Sequence, residues 1–244
     1  MLQQAGLAPG ERPELAALTM PEVLTGIPCA YVEAGADVIC TNTFGANPKK
    51  LEGTGYSTAA VVEAAVRAAR NAAGGTHARV ALDVGQLGEL LQPGGSLSFE
   101  DAYALFAEVM DAGRQAGVDA ILVETMTDLQ EARAALLAAN EKAAGLSVMV
   151  SMTFEQNGRT FSGVPVEAMA LTLGGLGAYA LGINCSLGPA EIMPLAERLC
   201  KATGLPVFVK PNAGLPHPAT GVYDIGPEEF CRQLEACLAM GVSM

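Results

Sequence analysis

Asn184, Cys185 and Ser186 put an amide, a sulfur and a hydroxyl on consecutive residues. They follow Tyr179 to Ile183, a run of mostly apolar and small residues that suits a parallel strand covered on both faces. Gly188 and Pro189 come next and open a helix, since proline is tolerated in a first turn. Ligands of parallel α/β proteins bind at the carboxyl ends of the strands, so a sulfur at this point is placed for a site. A free cysteine is as readily a small buried hydrophobe, and the segment by itself leaves both readings open.

Other strand exits carry similar groups: Thr41, Asn42 and Thr43; Gly85 and Gln86; Glu124 and Thr125; Thr153; Lys210 and Asn212. Aligned strands would bring these exits to one mouth. Glu124 ends an apolar run, where a carboxylate is costly to bury without a cation or donors. Either it pairs with Lys210 or it receives the ammonium of a substrate; the convergence of polar exits favours the substrate. Asn42 and Asn184 are equally suited to tie loops together through amide–backbone bonds. His217, after Pro216 in an exit loop, is as readily a loop contact as a base, and no role is assigned to it.

The elements that must hold these residues alternate along the chain. Breakers at Pro9-Gly10 and Pro13 make residues 1–18 irregular. Thr19 is expected to cap a helix to Glu33, and Gly35 ends it. Helices are predicted over 57–73, 98–115, 127–144, 165–174, 190–203 and 227–240, with strands at 37–41, 80–84, 118–123, 148–154, 179–183 and 206–210. Ser98 with Asp101, and Thr127 with Gln130, resemble capping boxes, and Asn157-Gly158 signals a small hairpin. Residues 242–244 look like the start of a further strand. Seven helices, six strands and a seventh cut short, with right-handed crossovers, indicate α/β architecture. No Gly-x-Gly-x-x-Gly follows a strand, which weakens a nucleotide-binding sheet. The pattern fits a single domain over residues 1–244, a TIM (β/α)8-type barrel lacking its first strand and truncated in its last.

A chain of 244 residues fits one barrel domain. Its formal charge of -12 argues against binding phosphate backbones or anionic membranes, so no nucleic acid and no membrane is expected as a partner, and a small molecule is. No apolar run reaches the ~18–20 residues of a membrane span, and no leader pattern opens the chain; a soluble, cytoplasmic protein is expected. The six cysteines show no CxxC pair and no disulfide framework. Cys29, Cys200, Cys231 and Cys237 fall on helical stretches, where burial is expected. His77 precedes a strand and is expected at the surface, and two histidines are too few for a histidine-based metal site.

GADVICTNTFGAN at 35–47, VDAILVETMTDLQEA at 118–132, VMVSMTF at 148–154, GINCSLGP at 182–189 and VKPNAGLP at 209–216 resemble, in order, the homocysteine-binding domain of cobalamin-dependent methionine synthase. The resemblance implies a TIM barrel and methyl transfer to the sulfur of L-homocysteine to give methionine. A free thiol of pKa ~8.5 is mostly protonated at neutral pH, and zinc removes that proton. In the family three cysteine thiolates hold zinc. Cys185 matches the first; the other two lie in a GGCCG motif that does not occur before Met244. The resemblance further implies that Glu124 takes the substrate ammonium and that Asn184 and the turn Thr43, Phe44, Gly45 and Ala46 line the homocysteine pocket. Its methyl donor is methylcobalamin, on a separate domain or protein, regenerated by a folate-binding one. Related enzymes use betaine or S-methylmethionine. The alternative from a different class is a non-catalytic fragment or binding module unable to assemble the zinc site.

Overall fold

Short β-branched and aliphatic runs, each bounded by glycine or a polar cluster, form the strands, and longer amphipathic stretches form the helices between them. In a computed structural model, which describes residues 1–214, 217, 220, 223 and 225–243, the strands are β1 (Val38–Cys40), β2 (Arg79–Val84), β3 (Ala120–Met126), β4 (Ser147–Met152), β5 (Ala180–Asn184) and β6 (Val207–Lys210). They lie in one sheet in chain order. The helices are α1 (Ala16–Thr19), α2 (Pro21–Glu33), α3 (Pro48–Leu51), α4 (Thr58–Ala73), α5 (Phe99–Ala116), α6 (Leu129–Lys142), α7 (Val166–Gly175), α8 (Pro189–Ala202) and α9 (Pro227–Leu238), with 3-10 turns at Gln3–Ala5 and Pro13–Leu15. The α/β alternation expected from the sequence is present, and each of the seven predicted helices and six predicted strands has its counterpart. Among the described residues no single helix is long and apolar enough to cross a membrane.

The chain divides into two units, Met1–Leu122 with Leu137–Val148, and Val123–Leu136 with Met149–Met244. In the first, β1 pairs in parallel with β2, Ile39 opposite Val80. Helix α4 packs on α2 and α5, and its Ala64, Ala65 and Ala68 cluster with Leu24 of α2 and Ala17 of α1. Small side chains there let the helix backbones approach closely. In the second unit β5 lies between β4 and β6, with Ser151 opposite Gly182 and Asn184 opposite Lys210. Every residue of β5 is buried, as a central parallel strand requires. Gly182 leaves room for the Phe208 ring: a Cβ built on Gly182 would lie 2.5 Å from it.

Several local expectations are corrected. Thr19 does not cap α2; its hydroxyl donates to Leu15 O inside the short α1, and Met20 occupies the cap position without a side-chain bond. Asp128, not Thr127, caps α6, accepting from the N–H groups of Gln130 and Glu131; a carboxylate reaches those donors more readily than the hydroxyl one residue earlier. The Ser98 cap holds, its Oγ accepting from Asp101 N–H and donating to the Asp101 carboxylate. β3 continues through Met126, so Glu124 and Thr125 lie within the strand. Of the helical cysteines Cys237 is buried, Cys29 and Cys200 are half-buried and Cys231 is exposed. His77 is exposed beside Asp37. Ser243 N–H donates to Val207 O at 2.7 Å, a ladder-like bond beside β6, although 242–243 form no strand. Met244, and Leu215-Pro216 of the VKPNAGLP stretch, lie outside the described residues.

One ion pair of the first unit makes stability depend on pH. Asp119 Oδ2 accepts from Arg70 Nη1 at 2.7 Å and from Val80 N–H at 2.8 Å. The Arg70 hydrogen bond is the main cause that holds the Asp119 carboxyl below its usual value; burial opposes it, and Val80 N–H and the nearby guanidinium charges add to the lowering. A depressed carboxylate contributes stability at neutral pH and loses it as pH falls through the folded value. Asp119→Asn is expected to cost about 1–3 kcal/mol at pH 7, measured by urea unfolding, with the gap from the wild type closing only as pH falls below about 4. Gly182→Ala is expected to cost about 1–3 kcal/mol through overpacking against Phe208, read as a lower urea midpoint with unchanged slope.

Candidate active site

In the second unit the side chain of Asn184 is a buried hub. Its Oδ1 accepts from Thr125 N–H at 3.0 Å and from Ser151 Oγ at 2.8 Å; its Nδ2 donates to Thr125 Oγ1 at 2.7 Å and to Cys185 Sγ at 3.3 Å. Two acceptor sites and two N–H groups are therefore all engaged, which is the full capacity of a primary amide. The amide cannot be turned over, because the Thr125 backbone N–H requires an oxygen opposite it. Thr153 Oγ1 donates to Asn184 O at 3.0 Å, and Cys185 N–H donates to Lys210 O at 3.1 Å, so the backbone on both sides of the hub is tied to β4 and β6.

Cys185 is half-buried rather than packed into a dry layer. Its sulfur lies 3.8 Å from Thr125 Oγ1 as well as 3.3 Å from the Asn184 amide. The backbone that presents it is strained: Thr125, Cys185 and Ser186 have φ of 63°, 59° and 54°, a left-handed conformation that is uncommon without glycine and a genuine outlier for β-branched threonine. Such conformations cost roughly 1–3 kcal/mol each and persist where surrounding bonds over-determine them. Here the bonds are those of Asn184.

Glu124 precedes Thr125 on β3, and its carboxylate is paired with Lys210 Nζ. The Glu124 side chain is 13% exposed and that of Lys210 45%, so the acid is fixed near the surface and the lysine lies over it. The ion pair weighed from the sequence is thus present. The register Asn184 opposite Lys210 brings the exits of β5 and β6 level.

In the first unit the turn after β1 is built as tightly. Thr43 Oγ1 donates to Asp83 O at 2.7 Å, and Thr41 Oγ1 accepts from Asp83 N–H at 3.1 Å while bonding Thr43 Oγ1 at 2.6 Å. Both hydroxyls are buried and serve the turn. Gly45 N–H donates to Glu14 Oε1 at 2.8 Å, and Asn42 Nδ2 donates to Pro13 O at 2.6 Å. Phe44 is half-buried, with Gly85 leaving space for its ring, and Ala46 is buried. Thr125 stands among the polar strand exits read from the sequence; Glu14 and Ser151 were not singled out there, and nothing local marked either. His217 is exposed.

Among the described residues no three His, Cys, Asp or Glu side chains converge in a way that could hold a metal ion. Cys185 is one sulfur, flanked by an amide and a hydroxyl.

The chain is 34% identical over 244 residues to methionine synthase of Mycobacterium leprae and 33% identical over 246 residues to that of Mycobacterium tuberculosis, in each case covering 93% of this chain and 20% of the relative. It therefore spans about a fifth of the length of these curated relatives. In structure it is similar to the homocysteine methyltransferase MmuM from Escherichia coli in its metallated form, with a TM-score of 0.82 at 22% identity, over 99% of this chain and 85% of that one, a likeness of fold. A family model, homocysteine S-methyltransferase, matches residues 1–244, and the chain belongs to the homocysteine S-methyltransferase family.

Proposed function

We propose that this chain binds L-homocysteine and presents its sulfur to a methyl donor, forming methionine. The observation that carries the reading is the placement, at the ends of β3 and β5, of a half-buried sulfur with two polar neighbours and a partly buried carboxylate one residue from the threonine that touches that sulfur. A thiol amino acid needs both: a polar niche near its sulfur and an anion for its ammonium.

In this reading the Glu124–Lys210 pair is the resting state of the ammonium seat. Lysine and the substrate ammonium are chemically alike, so the substrate exchanges for Lys210 Nζ at Glu124, and the half-exposed lysine chain moves to solvent at small cost. Both possibilities weighed from the sequence then apply in turn. The resemblance continues to assign Asn184 and the Thr43, Phe44, Gly45 and Ala46 turn to homocysteine; the filled hydrogen-bonding capacity of Asn184 supports a positioning role for it.

Zinc, implied by the family resemblance, would lower the proton affinity of the substrate thiol. The described residues do not by themselves fit a structural or catalytic zinc site, which takes at least three protein ligands, so no step is derived through the metal; Cys185 is proposed as one of its donors. The relatives named methionine synthase favour methylcobalamin as donor, presented with a folate-binding partner by other domains or proteins, over betaine or S-methylmethionine. The six strands in chain order are inferred to be most of an eightfold barrel.

Calorimetric titration tests the ammonium seat. Glu124→Gln is expected to weaken L-homocysteine at least tenfold, about 1.4 kcal/mol, while leaving 4-mercaptobutyrate, which lacks the ammonium, unaffected. Equal weakening of both ligands would overturn the assignment. After dialysis against a chelator, the 244-residue chain is expected to retain less than about one tenth of a zinc ion per chain, in keeping with a single available donor; stoichiometric tight zinc, by elemental analysis, would show that other side chains complete the site.

A further inference from the structure

We propose that Thr125 is a positioning residue for the sulfur of Cys185. The inference rests on the reading of Cys185 as a functional sulfur and adds to it a residue that acts through Asn184.

Three features of Thr125 bear on the sulfur together. Its backbone N–H fixes the orientation of the Asn184 amide by donating to Oδ1 at 3.0 Å. Its hydroxyl accepts one Nδ2 hydrogen at 2.7 Å. A planar amide whose oxygen and one hydrogen are held by the same residue has its other hydrogen directed, here at Cys185 Sγ, 3.3 Å away. The Thr125 hydroxyl itself lies 3.8 Å from that sulfur. Thr125 thus closes a ring through Asn184 to Cys185, and the sulfur meets an N–H and a hydroxyl on one side.

The backbone identifies why a threonine stands there. To turn both its N–H and its hydroxyl toward Asn184, residue 125 adopts φ 63° within β3. Asparagine, aspartate or glycine would take that conformation more easily. A β-branched residue in it is costly, and the hydroxyl is the only polar group threonine offers in return. Outer partners of a sulfur or imidazole donor fix its direction, and their loss typically changes its behaviour without removing the donor.

The test uses the 244-residue chain and requires neither metal nor homocysteine, so its result stands apart from that of the ammonium-seat experiment. Thr125→Val keeps the shape and removes the hydroxyl; Thr125→Ser keeps the hydroxyl. Iodoacetamide alkylation of each cysteine is followed by mass spectrometry at a pH where thiols are ionised, and side-chain amide exchange of Asn184 by NMR. Thr125→Val is expected to speed alkylation of Cys185 at least fivefold and exchange of the Asn184 amide protons at least tenfold, with the exposed Cys231 unchanged as the internal reference. Thr125→Ser is expected to stay within twofold of the wild type in both. Should Thr125→Val fail to fold by circular dichroism, Ser151→Ala, which removes the other hydroxyl bonded to Asn184, gives a second arm, expected to speed amide exchange at least threefold. Rates within twofold of wild type in the folded hydroxyl-deleted variant, or a serine variant as fast as the valine one, would overturn the proposal.

Discussion

A buried primary amide must have all of its hydrogen-bonding groups satisfied, and the site of this protein is arranged around that requirement at Asn184. An unpaired buried donor or acceptor costs roughly 1–3 kcal/mol, and Asn184 has four such groups to place. They are met by a backbone N–H and a hydroxyl from β3, a hydroxyl from β4 and the sulfur of the next residue. Three strands are thereby held in register at their ends by one side chain. The left-handed residues 125 and 185 are tolerated because the same bonds hold them.

This arrangement separates two tasks that are easily merged when a site is described as a set of residues. Glu124 carries the charge, 13% exposed and paired with Lys210; Asn184 is the interior scaffold, with nothing left to offer a ligand in its present bonding. Between them Thr125 faces both ways, adjoining the carboxylate along the strand and touching the sulfur through its hydroxyl. The charge is near solvent, where an ion pair exchanges at little cost, and the sulfur is in a half-buried niche, where directed donors count for more.

The turn after β1 follows the same logic in the other unit. Thr41 and Thr43 spend their hydroxyls on Asp83 and on each other, and Glu14 reaches in from an irregular segment to take the N–H of Gly45. A turn held this way presents its backbone in one conformation. Gly45 and Gly85 permit the closeness: a Cβ on either would fall 2.4 Å from its neighbour, the Glu14 carboxylate or the Phe44 ring.

Much of this was already determined by the amino-acid sequence. Alternating apolar strands and amphipathic helices have periods that local sterics enforce, so the elements, their order and their α/β class were legible, as were the polar strand exits and the family motifs around Cys185 and Glu124. Cap positions at Thr19 and Thr127 were misread because neighbouring residues offered competing hydrogen bonds within a residue or two of each other. What only the tertiary structure decided was partnership. That Asn184 spends its amide on Thr125 and Ser151, that Lys210 lies on Glu124, and that Glu14 meets Gly45 depend on strand register and on contacts between residues 31 to 86 positions apart. Local preference is silent on such pairings, because their energy is gained only when packing has brought the two ends together.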